Sequence, residues 1–195
     1  MPKIQTDKLA HHRDWRRQQL ISAAAQIALE SGGAAVTVAA VAERAGLSRT
    51  SVYEYFASSA DLTADLVIEE LNNFVNVLHE AISDPHNGEK SVSEWITAAL
   101  TYISDGRHLL AKALSATSTP RDRAAEIGAA HRRLLAPLRH SLLIMKISNV
   151  DQALSLIQSA TDSATKRIEG GADANTEIAS TTAFCLGGLR SLTLF

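Results

Sequence analysis

Apolar residues recur at helical spacing along almost the whole chain. Between Asp14 and Ser31, Leu20, Ile21, Ala24, Ile27 and Ala28 fall at offsets 0, 1, 4, 7 and 8, the stripe of an amphipathic helix. Gly32-Gly33 stops it, as glycine does at a helix C-terminus. Thr37 is placed to cap a short helix, Val38 to Ala45, with Val38, Val41, Ala42 and Ala45 facing inward. Gly46 closes that helix after about two turns. Ser48 then caps another, in which Val52 and Phe56 make an i, i+4 apolar edge. Two short helices joined through Ala45-Gly46-Leu47-Ser48 have the spacing of a helix-turn-helix.

The pattern continues downstream. Leu62, Leu66, Leu71, Phe74, Val75 and Leu78 predict a short connecting helix running into a long one, stopped near Pro85-His86-Asn87-Gly88. Ser91 and Glu94 form a capping box ahead of a helix carrying Trp95, Leu100 and Ile103, which Asp105-Gly106 breaks. A helical stretch covers Leu109 to Ala116. Thr119-Pro120 predicts an N-cap and N1 proline opening a long helix toward Met145, kinked at Pro137. Asn149 opens a helix from Val150 to about Glu169, ended by Gly170-Gly171; Asp173 or Asn175 opens the last, running to the C-terminus. No alternation of period two persists, and no internal repeat is visible. The expected fold is all-α with about nine helices. It divides into a three-helix domain over residues 1–60, led by a basic arm, and a helical domain over residues 61–195.

Composition agrees: 32 Ala and 23 Leu against 14 Gly plus Pro is a balance that favours helices. Net charge is −2, but its distribution is uneven, +2 over residues 1–60 and −4 over the remainder. Lys3, Lys8, Arg13, Arg16 and Arg17, with His11 and His12 among them, make the N-terminus a basic arm suited to a nucleic acid or simply to solvent. No apolar run approaches the roughly 18 residues of a membrane span. No apolar segment follows the N-terminal basic residues, and a single cysteine, Cys185, cannot staple its own chain. A cytoplasmic protein without a membrane partner is expected.

Catalytic patterns are thin. Ser163-Ala164-Thr165-Lys166 matches S-x-x-K, but its companion motifs S-D-N and K-T-G are absent, and a solvated helix face accounts for it. Histidines at 11, 12, 79, 86, 108, 131 and 140 never take an H-x-x-x-H or H-E-x-x-H spacing, and there is no glycine-rich phosphate loop. No enzyme, metal or cofactor is expected. Phe74, Trp95, Tyr102, His108, His140 and Met145 are the polar and aromatic residues placed to line a cavity downstream, or else to serve as core. Cys185, between Phe184 and Leu186, is expected to be a buried small hydrophobe.

One stretch carries a resemblance. Arg17, Leu20-Ile21, Ala23-Ala24, Ile27, Gly32, Thr37-Val38, Val41-Ala42, Ala45-Gly46-Leu47-Ser48, Ser51-Val52-Tyr53, Tyr55-Phe56, Ser58 and Asp61-Leu62 resemble the N-terminal domain of TetR-type (tetracycline-repressor-like) regulators. The match covers about 45 residues; the rest is only generically similar. The chain departs from the family at Ala28, where an aromatic residue is usual, at Thr50, often Gly, and at Ser59, commonly a Lys that binds DNA phosphate.

The resemblance implies a ligand-responsive regulator of transcription, a repressor binding a palindromic double-stranded DNA operator as a homodimer. With Val52 and Phe56 turned inward, Arg49, Thr50, Ser51, Tyr53, Glu54 and Tyr55 are left for DNA or solvent. Arg49 is suited to guanine, while Thr50 and Ser51 suit bases or phosphates. The expected DNA contacts are Arg16, Arg17, Thr37, Arg49, Thr50, Ser51, Tyr53, Tyr55 and Ser59, the last through backbone N–H groups of its helix start. The resemblance also places a small-molecule effector in the second domain and the dimer surface in the final two helices. There the stripes Leu154, Ile157, Thr161, Ala164, Ile168 and Ile178, Thr182, Cys185, Leu189, Leu192, with Gly187-Gly188, are the expected contact. The alternative is an all-helical dimeric interaction protein whose helix-turn-helix no longer binds DNA.

Overall fold

The structure is a computed structural model that describes residues 3–114 and 123–193, with side chains from residue 11 onward. Among these residues the chain is all-α. Its nine helices are α1 (Lys3–Ser31), α2 (Val38–Ala45), α3 (Arg49–Tyr53), α4 (Ser59–Ala81), α5 (Gly88–Ser104), α6 (Leu109–Leu114), α7 (Ala124–Ile144), α8 (Val150–Glu169) and α9 (Ala174–Arg190), with one 3₁₀ turn at Gly33–Ala35.

Local signals set most boundaries. Thr37, Asn149 and Asp173 each accept a backbone N–H three residues on, capping α2, α8 and α9. Several starts and stops differ from expectation. α1 begins at Lys3, not near Asp14, because its first turns need no apolar stripe to be helical. α4 is one continuous helix. α5 starts at Gly88 under an Asn87 cap, whose side chain accepts the Lys90 N–H at 3.1 Å. The supposed box is spent elsewhere: Ser91 Oγ donates to the Asp84 carbonyl and Glu94 accepts from Ser83. α9 ends at Arg190. Pro137 stands inside α7, as expected. The Thr119-Pro120 start and the last residues of the expected 109–116 helix lie outside the described residues.

The chain folds into two compact units. The first takes residues 1–70 and 109–127, the second 71–108 and 128–195. The first is thus wider than residues 1–60. Its core gathers the α1 stripe, Val36, Val38, Val41 and Ala42, Val52 of α3 and Phe56 of the loop after it, and Leu62 and Leu66 of α4. α6 completes it, with Leu114 buried and Leu110 and Ala113 packed alongside. Ala28 is fully enclosed, so the small side chain leaves no gap open to solvent.

The second unit is built around α5, which packs on α8 and α9. Val92, Trp95, Ile96, Ala99 and Leu100 meet Leu138, Leu142, Ala153, Leu154, Ile157, Ala164, Cys185 and Leu189. Burial pushes the Cys185 thiol pKa up, as for an ordinary core group. This core also corrects the expected dimer stripe. Leu154, Ile157, Thr161, Cys185 and Leu189 are buried inside their own unit, with Ile178 and Thr182 half-buried beside them. The faces left outside run one position round each helix: Leu156, Ser159 and Ser163 on α8, and Ser180, Ala183, Phe184, Gly187 and Gly188 on α9. Leu156 is 56% and Phe184 75% exposed, and no atom stands within 4 Å of a Cβ added at Gly187 or Gly188.

One glycine is required by close approach. A Cβ at Gly88 falls 2.6 Å from the Ser141 carbonyl oxygen and 2.6 Å from Met145 Cγ. Met145 can shift; the α7 backbone cannot do so cheaply. Gly88→Ala is therefore expected to destabilise the protein by roughly 1–3 kcal/mol. Denaturant unfolding checks this, and an unchanged midpoint contradicts it.

Candidate nucleic-acid interface

The α2–α3 corner is built by capping. At the end of α2 the Leu47 N–H donates to the Ala42 carbonyl at 2.9 Å and the Gly46 N–H to Glu43 at 3.1 Å, the paired bonds of a Schellman turn. Gly46 sits at φ 67°, a left-handed conformation that glycine adopts without steric cost. Ser48 Oγ accepts the Ser51 N–H at 3.1 Å and lies 2.9 Å from Ser51 Oγ, so both hydroxyls stand at the N-terminus of α3. Val52 and Phe56 anchor the other side in the core.

That anchoring decides what α3 presents. Arg49, Thr50, Tyr53 and Glu54 are exposed, Tyr53 at 58%, and Ser51 is half-buried. Thr37 is exposed at the start of α2, its Oγ1 accepting the Ala40 N–H at 3.1 Å, which leaves its own proton free to donate outward. Ser59, half-buried, opens α4, next to Ser58, whose hydroxyl accepts the Asp61 N–H at 3.1 Å. Tyr55 turns partly inward, its ring packed against the core of the first unit. Arg16 is half-buried and lies 5.6 Å over the exposed Trp15 ring. Arg17 departs from expectation. It pairs with Asp65 of α4 and lies 5.8 Å over the Phe56 ring, an ion pair within the first unit, with its side chain 39% exposed.

Sequence reasoning missed a cluster behind this surface. Asp61 and Asp65 stand one turn apart on α4, and Arg123 reaches both: Nη1 donates to Asp61 and Nη2 to Asp65 at 2.5 Å, while Nε donates to Glu126 at 2.5 Å. The Asp65 bond, then those to Glu126 and Asp61, hold the Arg123 guanidinium even further above neutrality than usual. The only signal available was the i, i+4 pair of aspartates; their partner lies about sixty residues on.

The expected effector residues scatter over the second unit. Trp95 is core, its Nε1 donating to the Leu134 carbonyl at 3.2 Å. Phe74 and Tyr102 stack at 4.5 Å, with Arg107 4.5 Å over the Tyr102 ring. His108 Nε2 lies 2.8 Å from Glu169, and its buried Nδ1 has no partner among the described residues. Met145 packs at Gly88. His140 is exposed and lines a cleft of about 290 Å³ with His79, Pro85 and Pro137. Tyr102 lines a different one, of about 360 Å³, with Val77, Thr97 and Arg107. Neither cleft takes in Phe74, Trp95, His108 or Met145. Among the described residues no three His, Cys, Asp or Glu side chains gather as a metal site, and no helix is long and apolar enough to cross a membrane.

Known proteins match the same parts. Residues 20–66, from the α1 stripe into α4, match the family described as bacterial regulatory proteins, tetR family. The HTH-type transcriptional activator FasR of Mycolicibacterium smegmatis is 26% identical over 91 residues, 47% of this chain and 42% of that protein; the match thus spans about two-fifths of that relative's length. The fatty acid degradation regulator FadR from Bacillus halodurans superposes with a TM-score of 0.70 at 20% identity, covering 90% of this chain and 96% of that one. The regulator FadR from Bacillus subtilis, solved with stearoyl-CoA, gives 0.68 at 19% identity, covering 88% and 96%. At such identities the superpositions carry the fold alone. The matched segment coincides with the capped α2–α3 corner and its exposed face, so that this part of the chain is similar to the tetR family of bacterial regulatory proteins.

Proposed function

We propose that this protein is a ligand-responsive transcription regulator, a repressor that binds a palindromic DNA operator as a homodimer. The observation that carries the reading is α3. It is a five-residue helix whose core side is closed by Val52 and Phe56 and whose outer side offers Arg49, Thr50 and Tyr53 with no other work to do in the fold. Such a helix end enters the major groove while hydroxyls and helix N-termini hold phosphates around it. Arg49 is assigned to a base edge, Thr37 and Tyr53 to phosphate, Thr50 and Ser51 to either, and the N–H groups opening α4 at Ser59 to phosphate. Tyr55 and Arg16 are secondary contacts.

Selection from a randomised duplex pool tests this. Recovery of a two-fold symmetric sequence is the expected result; a pool that stays random favours the interaction-protein reading instead. On the selected duplex, Thr37→Ala and Tyr53→Phe should each weaken binding to specific and random DNA nearly equally, with the salt slope unchanged because a neutral hydroxyl releases no counterion. A loss confined to the selected duplex would reassign those hydroxyls to bases. FasR is named an activator, and a promoter fusion decides the sign of regulation for this chain.

Dimerisation is assigned to the outer faces of α8 and α9. Exposed Phe184 and Leu156, and the two glycines with open space above them, support a partner helix packing close. The effector is assigned to the second unit, where buried His108 Nδ1 has no partner among the described residues and clefts flank Tyr102 and His140. Because Bacillus subtilis FadR was solved with stearoyl-CoA, a long-chain acyl-CoA is the first effector to titrate against the protein–DNA complex. An effector releases DNA only by binding the DNA-free form more tightly.

A further inference from the structure

We infer that Arg123, about sixty residues beyond the helix-turn-helix, is a positioning residue for the recognition helix: through Asp61 and Asp65 it holds the loop that follows α3 in the shape DNA reading needs. This rests on the DNA-binding reading.

The problem it solves is local. α3 has five residues, far too few to hold itself, since helix nucleation is costly and isolated helices are marginal below roughly a dozen residues. Its start is fixed from the sequence nearby, by the Gly46 turn and the Ser48 cap. Its other end runs straight into the loop before α4, and there the supporting bonds come from afar. Asp61 accepts the Ala57 N–H of that loop at 3.2 Å on Oδ2 and takes Arg123 on Oδ1. Asp65 takes Arg123 on Oδ1 and Arg17 on Oδ2, and Arg17 covers the Phe56 ring. Two routes thus lead from Arg123 to the residues just after α3, one ending on the Ala57 backbone and one on the Phe56 side chain.

Arg123 is committed to this work. All three of its nitrogens donate to carboxylates, and its side chain is only 19% exposed, so it has nothing left for a phosphate. Arg123 belongs to the first unit, in which α6 also buries Leu114 and packs Leu110 and Ala113 on the same core as α1. Without Arg123, Asp61 and Asp65 would be like charges one turn apart on α4, a destabilising pair, with Arg17 alone to share. A forked guanidinium spanning two carboxylates fixes direction as well as charge, which a lysine ammonium does not.

The test uses the full-length protein, the duplex that the wild type selects, a randomised duplex, and amide exchange at Ala57 and Asp61. Arg123→Met is expected to lose roughly tenfold in affinity for the selected duplex and to change within about twofold on random DNA. Exchange at Ala57 should speed up, and the slope of affinity against salt should stay as in the wild type, because no phosphate contact is removed. Arg123→Lys should fall between, and Asp61→Asn, which keeps an acceptor for Ala57, carries the test if Arg123→Met does not fold. Arg133→Met, which removes the same charge from an exposed site on α7, is the control and should match the wild type. Equal binding by Arg123→Met and Arg133→Met overturns the inference, as does an equal loss on both duplexes with a shallower salt slope. A wild-type protein that selects no duplex removes the DNA-binding reading and this inference with it.

Discussion

Replacing Phe184 and Leu156 together by glutamate is expected to leave each protomer folded, to abolish the dimer, and to cut affinity for the selected duplex by roughly 10²–10⁴. The size follows from linkage. One short helix in one half-site binds weakly, whereas a tethered second copy meets its half-site at a high effective concentration. Both side chains point away from the protomer core, Phe184 75% and Leu156 56% exposed, so charging them removes no internal packing. Buried across a partner helix, each carboxylate would be an unpaired charge with nothing to offset its desolvation. Sedimentation velocity reads the outcome, with circular dichroism as the check on folding. A variant that still sediments as a dimer moves the interface elsewhere, and a wild type that is monomeric at micromolar concentration removes it.

Arg49→Ala carries the second large effect. Arg49 is the first residue of α3, exposed and with no assigned role inside the protein. A bidentate contact from such a position to guanine N7 and O6 discriminates by roughly 1–3 kcal/mol, so the selected duplex should lose affinity by that amount while random DNA loses little. Competition between the two duplexes at constant salt measures it. Equal losses on both would make Arg49 a phosphate contact.

The parts of this account that were legible beforehand are those in which cause and effect lie within a few residues. Thr37, Gly46, Ser48 and Asn149 act on backbone groups three to five positions away, so the α2–α3 corner and the start of α8 could be placed from sequence. Periodicity showed that α8 and α9 bury a stripe, but not what against. Leu154, Ile157 and Thr161 were assigned to a partner and belong to their own core, while the outer face, rich in Ser and Ala, carries only Leu156 and Phe184 as apolar markers. Near α5, two cap-competent residues four positions apart competed, and Asn87 prevailed because Ser91 is buried under Asp84. The charges were least legible. Arg17 sits in a basic run that reads as an arm, yet its partner Asp65 lies 48 residues away, and Arg123 finds Asp61 and Asp65 at still greater separation. The second unit's expected pocket residues scattered for a related reason: aromatic and polar residues on separate helices converge only if the packing angles bring them together.

Footprinting of the selected duplex with hydroxyl radicals tests the central claim most directly, that α3 of two protomers reads DNA in successive major grooves. Two protected patches are expected on one face of the duplex, their centres one helical turn, roughly 34–36 Å, apart and related by the symmetry of the sequence. Protection spread evenly along the duplex, or a single patch, would contradict it.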